Sequence, residues 1–338
     1  NFGWKVQTNT LSLNGNWISK RYEYDVAGRE IRESEPFFST ASPTQWNQVT
    51  YDAYGRPITH QLYTGRTINT SYNGLSSTVD DGVKTVTTTK DALGNVASMQ
   101  DPGGTINYQY HGNGVMKSAN YGSHIVSTTI DGWGRKTSVN DPAAGNYTYS
   151  YNDLGDITQE TTPKGTTTFI YDTYGRISSK TVIGDETNLS LSYVYNGTTK
   201  LLTGINGTDA INNRSYQYTY GYDSYKRINS SSELLDNARF KKDITYDSFG
   251  RIHSEFYTTE KASSGINHVV RVKNSYDDAG ILTHIRDYYS GIPLWIVEEA
   301  NARGQSTKIR LQNGIIKSKT YDSYGFLTNI TDKKDGTT

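Results

Sequence analysis

The side chains that could carry acid–base or metal chemistry in this sequence are six histidines and three pairs of adjacent carboxylates. The histidines have no spacing typical of metal ligands; they are His60, His111, His124, His253, His268 and His284. The carboxylate pairs are Asp80-Asp81, Asp277-Asp278 and Glu298-Glu299. Neighbouring residues of a strand point to opposite faces, so such pairs are poorly placed to act together as acid and base. We therefore predict solvated charges at turns or edges, and no catalytic, cofactor-binding or metal site.

A phosphate-binding loop is the second kind of site to consider. The segment Gly112-Asn113-Gly114-Val115-Met116-Lys117-Ser118 is rich in glycine and ends in lysine and serine. It lacks the glycine-to-lysine spacing of a phosphate loop, and no helical pattern follows it. Its Asn-Gly pair is one of six in the chain, and Asn-Gly strongly favours a β-hairpin turn. The segment is therefore predicted to be a turn.

Composition limits the class of protein. The 338 residues could form two ordinary domains or one elongated array. Lys+Arg and Asp+Glu are equal at 34 each, so bulk charge does not draw the chain to nucleic acid or to an anionic membrane. Only 34% of residues are hydrophobic, but 28 tyrosines with many Thr, Ile and Val favour a folded all-β chain with thin, half-polar layers. There is no cysteine, and no apolar run approaches the roughly 20 residues of a membrane span.

A short unit that is repeated along the chain must position any site. Its clearest copy is Tyr171-Asp172-Thr173-Tyr174-Gly175-Arg176-Ile177. The copies recur at roughly 20 residues, which fits two strands and two turns. Two longer gaps contain degenerate copies, at Tyr72 and at Tyr195. Twelve copies have cores near 24–31, 51–58, 90–96, 110–116, 130–136, 151–157, 171–177, 222–228, 246–252, 276–282, 300–306 and 321–327.

Each copy is predicted to be a β-hairpin. Its Asp accepts a backbone hydrogen bond at the first position of a type I turn, and its Gly takes the left-handed conformation that follows. In the copy at 222–228, Lys226 replaces that Gly. In the clearest copy, Tyr171 and Ile177 are predicted to meet across the strands as a packing pair.

Other signals extend this pattern between the copies. Turns with Pro early and Gly late lie midway, as in Asp101-Pro102-Gly103-Gly104, and apolar residues alternate in stretches such as 147–151. Residues 232–238 alone allow one helical turn or a short insertion. The predicted fold is an all-β array of antiparallel hairpins in a sheet that curls, because sheets twist and open edges are liabilities.

The unit Tyr-Asp-x-x-Gly-Arg-(Ile/Leu), with Asp-Pro-x-Gly midway, resembles the YD repeat of RHS (rearrangement hot spot) proteins from about Tyr22 to Leu327. The family includes bacterial RHS polymorphic toxins, B and C components of insecticidal toxin complexes, wall-associated YD-repeat proteins and, more distantly, teneurins. The resemblance implies one long sheet that spirals into a hollow shell, which in bacteria encloses a toxic C-terminal segment. Residues 1–338 are then expected to be a single continuous array and a fragment of a longer chain, because Asp335-Gly336 is a turn signal without a return strand.

The sequence departs from the toxin members of that family at one point. Their shells end in a core-associated segment with aspartyl autoprotease residues, and nothing here matches it. Asp101-Pro102-Gly103-Gly104 lies in the middle of the array and lacks the following Leu. It is predicted to be an ordinary turn.

Two groups of side chains admit a binding role beside a structural one. The arginine after the repeat Gly could form a polyanion or glycan strip, or could lie over a neighbouring tyrosine and pair with a carboxylate. The structural alternative is favoured because the net charge is balanced. Tryptophans such as Trp46, Trp133 and Trp295 could likewise line a sugar platform, but packing between strands is predicted.

The resulting functional prediction is a structural shell segment of a large secreted or cell-surface bacterial RHS/YD-repeat protein that encloses or carries a toxin or effector. Its expected partners are the rest of its own shell and an enclosed C-terminal toxin or other polypeptide, with secretion machinery or cell-surface glycans as further candidates. No cofactor, nucleic acid or transmembrane segment is expected. The alternative is an extracellular adhesion or glycan-binding module that uses exposed Tyr, Trp and Arg rows. An enzyme, such as a glycosidase, ranks third and would need two facing carboxylates.

Overall fold

The computed structural model describes residues 3–261 and 266–334, and these residues form thirty β-strands and one short 3-10 turn at Leu13–Gly15. The expected terminal turn at Asp335-Gly336 lies outside the described residues. In the first half the strands are β1 (Gln7–Leu11), β2 (Trp17–Tyr24), β3 (Glu30–Ser34), β4 (Phe37–Phe38), β5 (Trp46–Tyr51), β6 (Pro57–Gln61), β7 (Thr67–Asn73), β8 (Ser76–Asp80), β9 (Thr85–Lys90), β10 (Val96–Asp101), β11 (Gly104–Tyr110), β12 (Met116–Tyr121), β13 (His124–Ile130), β14 (Lys136–Asp141) and β15 (Gly145–Tyr151). In the second half they are β16 (Ile157–Thr162), β17 (Gly165–Tyr171), β18 (Ile177–Gly184), β19 (Thr187–Tyr195), β20 (Leu202–Asp209), β21 (Arg214–Tyr222), β22 (Ile228–Leu235), β23 (Ala238–Tyr246), β24 (Ile252–Lys261), β25 (Ile266–Tyr276), β26 (Leu282–Asp287), β27 (Pro293–Ala300), β28 (Ser306–Leu311), β29 (Ile315–Tyr321) and β30 (Leu327–Lys334).

Most strands that follow one another along the chain pair antiparallel, so the predicted hairpin array is confirmed; β4 is an exception, because it pairs with β2 while β3 pairs with β5. In the hairpin of β17 and β18 the register runs from Gly165 opposite Gly184 to Tyr171 opposite Ile177. The predicted cross-strand pair of Tyr171 and Ile177 is therefore present, immediately after a register shift at Ile170/Tyr171. That shift is a β-bulge, which a type I turn followed by a left-handed Gly produces.

Two local expectations have different outcomes. Residues 232–238 form neither a helical turn nor an insertion: a two-residue turn at 236–237 joins β22 to β23, with Leu235 opposite Ala238. The polar Ser and Glu residues of this stretch lie in β22, and pairing with β21 and β23 decides their conformation. At Asp101-Pro102-Gly103-Gly104 the turn is confirmed, because Asp101 and Gly104 are the last pair of β10 and β11.

The described chain forms two compact units. One comprises residues 1–88 and 271–338, and the other comprises residues 89–270. In the first unit β2 is shared, since its first half pairs with β1 and β4 and its second half pairs with β3. The second unit is an uninterrupted series of hairpins from β10 to β24. That the whole chain is one continuous repeat array stays a prediction.

The sheet has a thin interior. In β15 the residues alternate between half-buried Tyr147, Tyr149 and Tyr151 and exposed Thr148 and Ser150. This is the predicted division between a tyrosine face and a polar face. Among the described residues, the buried hydrophobic side chains are Leu13, at 4% exposure, and Ile309, at 5%. A single sheet layer buries few side chains completely, which agrees with the low hydrophobic content.

Leu13 is buried because strands from both ends of the chain meet in the first unit. The 3-10 turn that carries it lies against β26 and β27, where Ile281, Leu282 and Trp295 line the same cavity. The backbone N–H of Asn14 donates to Asp277 Oδ2 at 3.3 Å, and the Asn14 side-chain amide donates to the carbonyl of Glu298 at 3.3 Å. Nothing in the repeat pattern predicts this contact.

Candidate functional site

The repeated turn is the most regular polar arrangement in the molecule. In the copy at 171–177 the Gly175 N–H donates to the Asp172 carbonyl at 3.0 Å, and the Asp172 N–H donates to the Arg176 carbonyl at 2.8 Å. Asp172 Oδ1 accepts from the N–H groups of Tyr174, at 2.8 Å, and Arg176, at 3.0 Å. At the repeat glycines from Gly28 to Gly325, φ lies between 74° and 93°. The predicted turn geometry is confirmed.

The arginine that follows the glycine closes the same turn. Arg176 Nε donates to Asp172 Oδ2 at 2.8 Å. This hydrogen bond, together with the backbone N–H donors, holds the pKa of Asp172 below its ordinary value although burial opposes the shift. The same Nε-to-Oδ2 bond, at 2.7 Å, recurs in other copies: Arg29 with Asp25, Arg56 with Asp52, Arg135 with Asp131, Arg227 with Asp223, and Arg251 with Asp247.

A second set of contacts joins each hairpin to the next one. The guanidinium carbon of Arg176 lies 4.0 Å from the centre of the Tyr195 ring, and the Tyr195 hydroxyl donates to the Ile177 carbonyl at 2.9 Å. The ring is thereby held beneath the arginine of the preceding repeat. Equivalent hydroxyl-to-carbonyl bonds run from Tyr51 to Glu30, Tyr72 to Pro57, Tyr110 to Val96, Tyr151 to Lys136, Tyr171 to Ile157, Tyr222 to Leu202, Tyr246 to Ile228 and Tyr321 to Ser306.

These contacts decide between the two interpretations of the arginine row. Each of the arginines that pairs with its own Asp is neutralised inside its turn, and several also lie over a neighbouring tyrosine. The structural alternative is confirmed for them. These arginines therefore do not form a free basic strip. We call the Asp-Arg pair of a repeat turn, together with the tyrosine of the next repeat that lies against it, the connector, because it joins one hairpin to the next; Asp172, Arg176 and Tyr195 are one example.

The degenerate copies also act as connectors. Tyr72 and Tyr195, in the two long gaps, make the same hydroxyl contact as the complete copies. Lys226 adopts φ of 64° where other copies have Gly, and Lys200 does the same in the turn after Tyr195. One turn of the same hydrogen-bonded form was not predicted, between Leu62 and Arg66. Its Gly-Arg pair was the available signal, although the Tyr-Asp pair is absent.

The histidines do not converge on a site. His111 replaces the repeat Asp in its copy, and its Nε2 lies 3.0 Å from the Thr128 carbonyl. His284 Nδ1 lies 2.9 Å from the Thr283 hydroxyl, and burial lowers the pKa of His284. Within residues 3–261 and 266–334, no group of three or more His, Asp or Glu side chains is close enough to hold a metal.

One carboxylate pair differs from its predicted geometry. Glu298 and Glu299 do not point away from each other, because Lys308 Nζ lies 3.2 Å from Glu298 and 3.4 Å from Glu299. The reason is a β-bulge: the register of β27 and β28 shifts on both sides of Glu299. Arg310 also pairs with Glu298 at 2.5 Å and lowers its pKa. The two carboxylates therefore form a charge cluster with Lys308 and Arg310.

The glycine-rich segment at 112–118 is a hairpin turn, as predicted. The Gly114 N–H donates to the His111 carbonyl at 2.9 Å, and the turn joins β11 directly to β12. A strand follows it, so no helix N-terminus is available for a phosphate.

The tryptophans have two different environments. Trp46 packs under Arg32, whose guanidinium carbon lies 4.0 Å from the ring centre, and Trp295 lines the cavity beside Leu13. For Trp133 the packing prediction is wrong, because this side chain is 87% exposed. It occupies the position before the repeat Gly, at the tip of the turn, where a side chain points away from both strands.

Large exposed side chains recur at this tip position. Tyr225 is 79% exposed and Phe249 is 82% exposed at the equivalent place. We call these side chains the tip row; its members are Tyr54 and Tyr324 in the first unit and Leu93, Trp133, Leu154, Tyr174, Tyr225 and Phe249 in the second unit. The row was not predicted, although a large residue stands before the repeat Gly in most copies and was a visible signal.

The family model RHS Repeat matches residues 131–167 and 151–187. Among solved structures, the chain is similar to TcdB2-TccC3 without its hypervariable C-terminal region, with 15% identity and a TM-score of 0.57 over 98% of this chain and 20% of that chain. It is also similar to TcdB2-TccC3-TEV, with 15% identity and a TM-score of 0.60 over 99% and 20% of the two chains. A Tc holotoxin pore from Photorhabdus luminescens with a TccC3 mutation matches with 15% identity and a TM-score of 0.58 over 99% and 20%.

The family model supports the predicted resemblance to RHS/YD-repeat proteins and locates RHS repeats within residues 131–187, and the solved structures show the same all-β hairpin fold over nearly the whole chain. The chain spans about one fifth of the length of the solved chains that it matches. No curated protein sequence matches significantly. In the part of the chain that the structure describes, no helix has the length and apolar character needed to cross a membrane.

Proposed function

We propose that this chain is a wall segment of a larger RHS-type shell, which surrounds or carries a toxin or other polypeptide and operates outside the cell. The observation that carries the proposal is the connector between hairpins. Its tyrosine and arginine are held by neighbouring turns and not left free for a ligand, so the conspicuous polar residues serve the sheet itself.

The fold supports the same conclusion. The solved chains that it resembles are parts of toxin complexes, and this chain matches one fifth of each. A wall segment needs an extended, hydrogen-bonded sheet and does not need its own catalytic centre. Its partners would be the adjoining stretches of shell and the enclosed polypeptide, and secretion to the cell exterior is the setting in which such a shell would be used.

Electron microscopy of the full-length protein that carries this segment tests the proposal. The expected result is a closed wall with density for a second polypeptide inside. Proteinase K should leave that inner polypeptide intact until the wall is unfolded by urea. An extended rod without an interior, or an inner polypeptide cleaved at the same rate as a free control peptide, would refute the proposal.

The tip row favours a second candidate function, adhesion to glycans at a cell surface. Hairpin tips on one edge are separated by two strands, so the rings of Tyr225 and Phe249, on successive hairpins, are about 10 Å apart at the usual strand spacing. Exposed aromatic side chains in such a row are unusual on a soluble surface and mark interaction sites. The arginines take no direct part, because their own Asp residues hold them.

A glycan array probed with the purified chain separates this function from the first. The adhesion candidate predicts binding that is lost when Trp133, Tyr225 and Phe249 are all replaced by Ser. A matched control replaces the exposed Val83 and Ile211, at turns outside the tip row, by Ser. Equal binding of both variants, or no binding by the parent chain, would remove the adhesion candidate and leave the wall proposal untouched.

A further inference from the structure

The tyrosine face of the second unit contains an open cavity of about 360 Å³ over strands β21 to β24. Two cross-strand rows of side chains form its floor. One row is Tyr218, Glu233, Phe240 and Thr259, and the other is Tyr220, Ser231, Lys242 and Tyr257. Four aromatic rings therefore surround one carboxylate and one ammonium group.

The carboxylate of Glu233 forms no ion pair, whereas the lysines that line the cavity pair with other carboxylates. Lys242 pairs with Glu255 at 2.5 Å, and Lys241 pairs with Asp243 at 2.9 Å. Glu233 Oε1 accepts a hydrogen bond from the Tyr218 hydroxyl at 2.8 Å. Among the described residues, that hydroxyl is the one side-chain partner of Glu233, and no Lys or Arg nitrogen lies within 4 Å of its carboxylate.

The repeat turn shows a guanidinium group placed between a carboxylate and a tyrosine ring. In the repeat turn, the guanidinium of Arg176 lies between the carboxylate of Asp172 and the ring of Tyr195. The cavity offers the same two partners, a carboxylate and tyrosine rings, without the arginine. A planar guanidinium can stack on an aromatic ring while it donates two parallel hydrogen bonds to a carboxylate.

We propose that this cavity binds a guanidinium group, with Glu233 as the anionic partner and the rings of Tyr218 and Phe240 as the stacking surface. Oε2 of Glu233 is available for the guanidinium while Oε1 keeps its bond to Tyr218. The volume of the cavity lies in the lower range of small-ligand sites and exceeds what one guanidinium needs. The ligand is therefore an arginine side chain or a comparable free compound. The inference does not depend on whether the segment encloses a polypeptide.

Saturation-transfer NMR with the purified chain is the first test, with N-acetyl-argininamide as the probe. N-acetyl-citrullinamide has the same shape but no charge, and it serves as the matched ligand. The argininamide is expected to bind with an affinity that falls as salt is raised, because the charge contact is partly exposed. The citrullinamide is expected to give at least a tenfold weaker signal.

The chain provides a matched protein control. Glu160 lies opposite Tyr149 across β15 and β16, as Glu233 lies opposite Tyr218, but its other neighbour is Thr167 in place of Phe240. Glu233→Gln should lower the affinity for argininamide at least tenfold, and Glu160→Gln should change it less than twofold. Far-UV circular dichroism of both variants checks that each is folded.

Each result of these experiments either supports the guanidinium site or overturns it. Absence of binding to the parent chain, equal binding of citrullinamide, or unchanged affinity in Glu233→Gln would each overturn the inference. Stronger binding of a neutral disaccharide than of argininamide would also overturn it, in favour of a sugar site. An unstructured peptide with one arginine identifies the source of the guanidinium group, and the same peptide with citrulline is its control. A higher affinity of the arginine peptide than of free argininamide indicates a polypeptide ligand. Equal affinity indicates a free compound.

Discussion

Two glycines of the same hairpin should tolerate alanine very differently. Gly175, in the repeat turn, has φ of 74°, and a Cβ added to it would have no heavy atom within 4 Å. Gly165, in the opposite turn, has φ of 145°, and its added Cβ would collide with the Ile183 carbonyl and lie 2.7 Å from the Gly184 Cα. At Gly175 only the backbone conformation favours glycine. At Gly165 the close approach of two strands favours it as well.

The expected costs follow from these contacts. At Gly175, alanine must enter the left-handed region, which costs about 1–2 kcal/mol, while the loss of freedom in the unfolded chain returns about 0.4–1 kcal/mol. The net destabilisation from Gly175→Ala is therefore about 1 kcal/mol. Gly175→Val should cost more, because a β-branched side chain resists positive φ. Gly165→Ala should cost about 3 kcal/mol or more, because strain in a Gly-only region adds to a clash with backbone atoms.

Hydrogen exchange of amides in β17 and β18, followed by mass spectrometry, measures these differences locally, and the urea midpoint measures them globally. Lys226→Gly is the matched control of opposite sign. This substitution removes the strain of a lysine in the left-handed backbone conformation and should stabilise its hairpin by about 1 kcal/mol. Equal costs for Gly165→Ala and Gly175→Ala would refute the steric argument. Destabilisation by Lys226→Gly would refute the conformational one.

Three further predictions concern the connector and the tip row. Tyr171→Phe removes the hydroxyl bond to the Ile157 carbonyl and should lower the free energy of unfolding by about 1 kcal/mol, as measured by urea denaturation. Arg176→Gln should destabilise at pH 6 but much less in acid. The folded-state pKa of Asp172 is lowered chiefly by its bond to Arg176, so the stabilisation is complete above the unfolded pKa, about 3.9, and is lost as pH falls through the folded value; an unchanged gap in urea midpoints from pH 6 to pH 3 would contradict this. Trp133→Ser should change stability by no more than about 0.5 kcal/mol in thermal unfolding, since its side chain is exposed; a larger loss would mean that the tip row packs against another part of the protein.

The turn chemistry could be predicted in detail because it is local. Asp172, Gly175 and Arg176 lie within five residues, and the hydrogen bonds among them need only the backbone conformation that those residue types prefer. The pairing of Tyr171 with Ile177 follows directly from that turn, because the register of a hairpin is fixed by its loop. The sequence was misleading where a bulge changes the register, as at Glu299.

Contacts between residues that are far apart in the sequence could not be predicted from the repeat pattern. Arg303 donates to Glu35 at 3.1 Å and to the Tyr63 hydroxyl at 2.6 Å, across sequence separations of 268 and 240 residues. The Glu233 cavity likewise needs four strands in register before its rings and its lone carboxylate meet. By itself, then, the sequence determined the hairpin, its turn and the face that each strand buries, because these depend on neighbours within one repeat. Which distant strands meet, and which charges are left without a partner, was decided by the tertiary structure, because it depends on the twist and register accumulated over many strand pairs.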